Sequence, residues 1–174
     1  SKGYLQGSDS RDSVYVHPSA WYDEHNVRLI EGITVTEIDP GAHIIATDGP
    51  AGELDMSYDK LLLATGSKPR RLEVPGADLN GMHYLRNVED SERLKIKFAE
   101  ANRVVIIGAG WIGLETAAAA RAAGLDVTLI ESSDMPLQHV LGVEVAPIFA
   151  ELHRSHGVQL RRRTTPVALT GRHG

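Results

Sequence analysis

The apolar positions of this chain change rhythm from one end to the other. Between residues 27 and 47 they fall in short runs: Val27, Leu29 and Ile30, then Ile33, Val35 and Ile38, then Ile44 and Ile45. Asp39-Pro40-Gly41 separates the last two groups. Proline presets one turn dihedral and glycine supplies a positive one, so the segment predicts strand, turn, strand, a β-hairpin. A second turn at Asp48-Gly49-Pro50 leads past Met56 to the stretch Tyr58 to Gly66, where Leu61-Leu62-Leu63-Ala64 is unbroken by polar residues. Such a run predicts a strand buried on both faces.

Pro69, Pro75 and Gly76 then mark a connector, and after Asn87-Val88-Glu89-Asp90-Ser91 the residues Leu94, Phe98 and Ala101 recur at helical spacing. From Arg103 the pattern sharpens. Val104-Val105-Ile106-Ile107 predicts a buried strand, a glycine loop follows, an Ala-rich helix runs to Ala123 with Gly124 as its stop, and Val127 to Glu131 is a second strand. Together these form a βαβ unit. A further helix is expected over Val143 to Ser155, closed by Gly157, with short strands at Val158 to Leu160 and Pro166 to Leu169.

The glycine loop carries the first chemical signal. Gly108, Gly110 and Gly113 spell GxGxxG, in which the glycines permit a tight turn, approach of backbone N–H groups to a pyrophosphate, and close packing of helix on strand. With 17 Gly in 174 residues, three at these offsets arise somewhere by chance with probability on the order of 0.15, so the context decides. Here the motif directly follows an apolar strand, opens a helix with Ala117 to Ala120, and is followed 23 residues after Gly108 by Glu131 at a strand end. That combination predicts dinucleotide binding, with Trp111 and Ile112 in the same loop also against the cofactor. A carboxylate at Glu131 would accept hydrogen bonds from the adenine ribose and repel a 2′-phosphate, and Ser132 and Ser133 bring no arginine to pair with one, so NAD is favoured over NADP. Glu115, in the first turn of the helix, either supports the helix start through the macrodipole or points toward a redox centre.

Composition narrows the field further. Lys and Arg total 18 and Asp and Glu 23, a formal net charge of −5, which disfavours a nucleic-acid binder. The charge is uneven: residues 1–100 hold 11 basic and 17 acidic side chains, net −6, and residues 101–174 hold 7 and 6, net +1. The shift near position 100 suggests two units. No cysteine is present, so disulfides, thiolate metal sites and a redox dithiol are excluded within these residues. The stretch Val104 to Ala120 is interrupted by three glycines and Glu115, too broken for a membrane span. A cytoplasmic setting without membrane contact is expected. The chain opens on Ser1-Lys2-Gly3-Tyr4 with neither an initiator Met nor a signal pattern, and reads as a piece of a larger protein.

Three segments, in order and spacing, resemble a known family: Tyr58-Asp59-Lys60-Leu61-Leu62-Leu63-Ala64-Thr65-Gly66-Ser67-Lys68-Pro69-Arg70, then Tyr84-Leu85-Arg86, then Gly108-Ala109-Gly110-Trp111-Ile112-Gly113-Leu114-Glu115. They look like FAD-dependent pyridine-nucleotide oxidoreductases, nearest to the NADH-dependent ferredoxin, putidaredoxin and rubredoxin reductases of bacterial oxygenase systems. The opening Ser1-Lys2-Gly3-Tyr4-Leu5 is similar to that branch's Leu-Ser-Lys segment. The resemblance implies an α/β fold, a Rossmann-like dinucleotide-binding βαβ domain preceded by part of an FAD-binding domain with a β-hairpin. Residues 1–70 would be the partial FAD domain, and 71–174 most of an NAD domain, with 71–100 its connector and helix and 101–174 its βαβ core.

By the same resemblance, Lys2 would approach the flavin and pair with Glu115, Val35 would offer backbone to the FAD adenine, Thr65 and Gly66 would line the FAD, and Arg86 would reach it. The family's first GxGxxG, its later Gly-Asp segment and its C-terminal domain have no counterpart in these residues. The implied function is that of a ferredoxin reductase fragment, hydride passing from NADH to FAD and electrons on to a small iron–sulfur protein. The alternatives are an NAD-binding module without flavin or turnover, or another flavoprotein such as a nitrite reductase or an apoptosis-inducing-factor-like protein; the missing Cys argues only weakly against a dithiol-disulfide reductase. His153 and His156 favour solvated histidines over a metal pair, and Arg161-Arg162-Arg163 a wet strand end over an acidic or phosphate contact.

Overall fold

Two three-stranded sheets organise the chain, one antiparallel and one parallel, and each belongs to its own compact unit. The structure is a computed structural model; it describes residues 2–50 and 52–171, with the side chain of Lys2 outside that description. Residues 15–67 form one unit, and residues 1–14 join 68–174 in the other.

In the first unit β1 (Thr34–Asp39) pairs antiparallel with β2 (Ile44–Asp48), and β2 with β3 (Leu54–Ser57). The hairpin expected around Asp39-Pro40-Gly41 is present. Its turn is held by the Asp39 carboxylate, which accepts from the N–H of Gly41 at 2.8 Å and of Ala42 at 2.9 Å. The positive φ falls on His43 (55°) rather than Gly41, and the His43 ring stacks on Tyr58 at 5.3 Å. Short helix α2 (Ser19–Glu24) precedes the sheet; on it Trp21 lies between His17 and His25, with ring centroids 3.8 and 4.1 Å away.

The strand expected within Tyr58 to Gly66 does not form. Residues 58–66 carry no strand, and Leu62 and Leu63 are 87% and 65% exposed. A strand is a pairing, and no neighbouring strand in the described residues meets this run, so apolar composition alone does not order it. The same holds at Pro166 to Leu169, which stays irregular although the Leu169 N–H donates to the Pro75 carbonyl at 2.8 Å.

The second unit is built on β4 (Arg103–Ile107), β5 (Asp126–Ile130) and β6 (Val158–Arg161), parallel and in that spatial order. Arg103 is in register with Asp126 and Ile107 with Ile130; Val127 faces Val158. Helix α4 (Trp111–Ala122) crosses from β4 to β5 and α5 (Gln138–Ser155) from β5 to β6. Ala117, Ala119 and Ala120 are at most 2% exposed; their small side chains let α4 lie close on the strands, and Leu114, Leu125, Val127, Leu129 and Val158 fill the space between. The expected span Val143 to Ser155 is helical. One more turn precedes it across a kink at Gly142, whose φ of 76° interrupts the helix.

Helix α3 (Val88–Glu100) leads into β4 and is started by a capping box. Asn87 Oδ1 accepts from the Asp90 N–H at 2.8 Å, and Asp90 Oδ2 accepts from the N–H groups of Asn87 and Arg86 at 3.1 and 2.9 Å. Desolvation alone would raise the Asp90 carboxyl; the two backbone donors and Arg93 outweigh it and lower its pKa.

The compact units divide residues 1–70 differently from the boundary expected at 70/71. Helix α1 (Lys2–Gln6) packs on α3 and α4. Leu5 enters the core of the parallel sheet, the Tyr4 hydroxyl donates to Glu92 at 3.0 Å, and Lys95 Nζ lies 4.8 Å from the Tyr4 ring centre. Two buried side chains and an aromatic contact outweigh sequence proximity.

Candidate dinucleotide site

At the carboxyl ends of β4 and β5 the chain leaves a cleft of about 910 Å³, the place where an open parallel sheet binds its ligand. Its lining includes Val104 to Gly108, Gly110 to Gly113, Ile130 to Ser132, and, opposite these, 69–72, 81–85 and Thr164 to Pro166. All belong to one compact unit.

The glycine loop has the geometry its sequence requires. Gly108 adopts φ 101°, a conformation that disfavours any side chain. A β-carbon on Gly113 would overlap the Gly108 carbonyl oxygen, whereas one on Gly108 or Gly110 would meet nothing within 4 Å. Gly113 therefore serves the contact between helix and loop, and Gly108 and Gly110 leave open space over the cleft. The first N–H groups of α4, at Trp111, Ile112 and Gly113, have no partner within the helix and point out of its start. An open glycine face beside free helical donors fits a pyrophosphate.

Glu131 closes the site from the end of β5. Its Oε2 accepts from the Ala109 N–H at 2.7 Å, and its Oε1 from the Ser133 N–H at 2.7 Å and the Ser132 hydroxyl at 3.2 Å. Partial burial would push the carboxyl up; the donors from Ser133, Ala109 and Ser132 outweigh it and hold the pKa below the ordinary glutamate value. The Ser132 hydroxyl, exposed and at 3.2 Å, is the donor that a ribose hydroxyl would displace most easily.

The loop and the strand end are bound into one body. The Gly108 N–H donates to the Ile130 carbonyl at 2.8 Å, Leu137 N–H to the Ala109 carbonyl at 3.1 Å, and Thr164 N–H to the Glu131 carbonyl at 3.0 Å. Leu137, buried and left-handed at φ 57°, precedes α5. Trp111, 47% exposed, meets the Phe149 ring edge-on at 5.5 Å.

Of the residues singled out in the sequence, Gly108, Gly110, Trp111, Ile112, Gly113 and Glu131 all line this cleft. Glu115 is exposed on α4, outside the lining. Arg86 is exposed ahead of α3. The Lys2 side chain lies outside the described residues, so its pairing with Glu115 has no geometry here. Val35 on β1, Thr65 and Gly66 belong to the other unit, with Val35 49% exposed and Gly66 at φ 74°. The sequence reading missed Ala109, Ser133 and Thr164, which act through backbone groups. Only the serine pair directly after Glu131 gave a signal.

Comparison with known proteins places the chain among reductases. The pyridine nucleotide-disulphide oxidoreductase family profile matches residues 1–174. The chain is 42% identical over 165 residues to rhodocoxin reductase of Rhodococcus erythropolis, covering 94% of this chain and 38% of that one. It is 38% identical over 168 residues to putidaredoxin reductase of Pseudomonas putida, covering 94% and 39%. The crystal structure of the ferredoxin reductase for the CYP199A2 system of Rhodopseudomonas palustris superimposes with a TM-score of 0.86 at 30% identity, over 98% of this chain and 41% of that one. The chain thus spans about two-fifths of the length of these relatives.

Proposed function

The chain belongs to the pyridine nucleotide-disulphide oxidoreductase family, and from that premise we propose that it carries the NADH-binding part of a flavoprotein reductase serving a small iron–sulfur protein. The observation that carries the reading is the Glu131 carboxylate, fixed at the rim of the glycine-lined cleft by the Ala109 and Ser133 N–H groups. A negative charge held there favours the ribose hydroxyls of NADH and opposes the 2′-phosphate of NADPH.

When bound, NADH supplies a hydride and FAD accepts it. The residues of this chain contribute placement. Gly108 and Gly110 admit the pyrophosphate to the backbone donors at the start of α4, and Glu131 holds the adenine ribose. Trp111 and Ile112, which line the cleft at the start of α4, would lie against the bound dinucleotide. By the family resemblance Lys2 and Glu115 would adjust the charge near the flavin; Val35, Thr65 and Gly66 in the one unit would each contribute to binding FAD, and so would Arg86 in the other. The redox partner is named by analogy with rhodocoxin and putidaredoxin reductases, and the cytoplasmic setting belongs to the same proposal.

A second reading, an NADH-binding module without flavin turnover, draws on the fact that every residue lining the cleft falls in one unit. Calorimetric titration with NADH and NADPH, beside a visible spectrum of the purified chain, tests both. Preferential NADH binding with a bound-flavin spectrum supports the reductase reading, and NADH binding to a colourless protein the module. Absence of nucleotide binding overturns both.

A further inference from the structure

A second recess, of about 460 Å³, lies at the end of β6 and is walled by Arg154, Leu160, Arg161, Arg162, Arg163 and Thr164. Four of its six lining residues are arginines, in a chain whose formal net charge is −5. Consecutive residues of a strand point to opposite faces, so three adjacent arginines would not ordinarily serve one recess. The chain achieves it by ending β6 at Arg161 and turning at Arg163, whose φ of 50° is left-handed. Such a conformation is disfavoured for a side chain other than glycine and persists where the surroundings hold it. Here the Arg163 N–H donates to the Ser133 carbonyl at 3.2 Å and its guanidinium pairs with Asp134. Arg162 donates to the Asp134 carbonyl at 3.2 Å and contacts the Met135 sulfur. The guanidinium groups of Arg154, in the last turn of α5, and of Arg161 have no ionic or hydrogen-bond partner among the described residues.

We propose that this recess is a binding site for a compact phosphate-bearing anion with two or more negative charges. Two guanidinium groups are engaged by Asp134, Arg163 through its carboxylate and Arg162 through its carbonyl, and two keep their forked donors unspent, the arrangement that matches phosphate oxygens bidentately. Asp134, which pairs with Arg163, is not part of the lining, so four arginines face one neighbouring carboxylate and the recess keeps an excess of positive charge. Leu160 is its one apolar wall and no aromatic ring is present, so charge is recognised and a nucleobase is not. The site is separate from the dinucleotide cleft, with Thr164 the lining residue common to both, and goes beyond the function proposed above.

Inorganic pyrophosphate is the probe, titrated calorimetrically into the chain at low salt with and without saturating NADH, which fills the glycine loop. The site predicts that pyrophosphate binding persists under NADH. It predicts a loss of about tenfold or more in the Arg154→Ala/Arg161→Ala variant, and substantial retention in Arg154→Lys/Arg161→Lys, which keeps charge and fold. Both variants should leave NADH affinity within about twofold, because the contact between Arg161 and Glu131, the Glu131 N–H donating to the Arg161 carbonyl at 2.8 Å, runs through backbone that the substitutions keep. ADP, titrated under the same saturation, should bind no more tightly than pyrophosphate, since only its diphosphate is read; ADP binding about tenfold or more tighter would show that the base is recognised and would overturn the assignment to a compact anion. Undetectable pyrophosphate binding, full competition by NADH, or affinity unchanged in the alanine pair would each overturn the proposal.

Discussion

The Glu131 carboxylate accepts a hydrogen bond from the backbone N–H of Ala109 at 2.7 Å, across 22 residues of sequence. One contact joins the end of β5 to the glycine loop after β4. The group expected to read the ribose therefore also fixes the loop expected to hold the pyrophosphate, and a change at either end should be felt at both.

Replacing Glu131 with Ala should weaken NADH binding by about ten- to a hundredfold, the equivalent of losing roughly 1.5–3 kcal/mol of charge-assisted hydrogen bonding. It should also lower unfolding stability by about 1–3 kcal/mol, since the partly buried Ala109 and Ser133 donors lose their acceptor. Calorimetry reads the first effect and a denaturant midpoint the second. Lost binding at unchanged stability would mean that the loop does not depend on this carboxylate.

The lowered pKa of Glu131 sets a sign for the pH dependence. In the unfolded chain the carboxyl returns to about 4.3, above its folded value, so the ionised form contributes stability fully present above that pH and lost as pH falls through the folded pKa. The stability gap between wild type and Glu131→Gln should be constant from pH 7 to about 5.5 and narrow below about 4.5. Urea midpoints at half-unit steps measure it, and a gap independent of pH would refute the assignment.

Gly113→Ala should cost about 2 kcal/mol or more and abolish NADH binding, because the added methyl overlaps the Gly108 carbonyl oxygen. Gly110→Ala, where that methyl meets open space, should leave stability within about 1 kcal/mol while weakening nucleotide binding. Thermal unfolding beside calorimetry separates packing from ligand approach.

Nucleotide preference should follow the charge at the ribose. Glu131→Ala combined with Ser132→Arg removes a repulsion and adds a guanidinium, and should move the NADH to NADPH affinity ratio by about a hundredfold toward NADPH. Parallel titrations give the ratio directly; a preference left for NADH would place the discrimination elsewhere in the cleft.

Asn87→Ala should destabilise the chain by about 1 kcal/mol through loss of the α3 capping box, without changing NADH affinity. A denaturant series suffices. A comparable loss of NADH affinity would show that α3 is coupled to the cleft.

The βαβ core was legible because its information is local. Val104 to Ile107, three glycines at fixed offsets, a run of alanines and an acid at the next strand end each constrain only near neighbours; the structure places the strand, the glycines and the acid around one cleft and the alanines in the core beneath it. The hairpin was legible for the same reason, down to Asp39 at its turn, although the left-handed residue proved to be His43. Leu61-Leu62-Leu63 was not. Its composition speaks of burial, but a strand exists only in the company of another, and that depends on residues far away in the chain.

By itself the sequence determined β4, α4, β5, β6 and the body of α5 in the parallel unit, and that glycine must stand at 108 and 113. Tertiary structure alone decided that residues 1–14 pack with 68–174, that Ala109 and Ser133 donate to Glu131, and that four arginines from two elements share one recess. The division has a physical cause. Periodicity and turn chemistry act over a few residues and are written in residue identity, whereas backbone donors are the same at every position and gain meaning only from where the fold carries them.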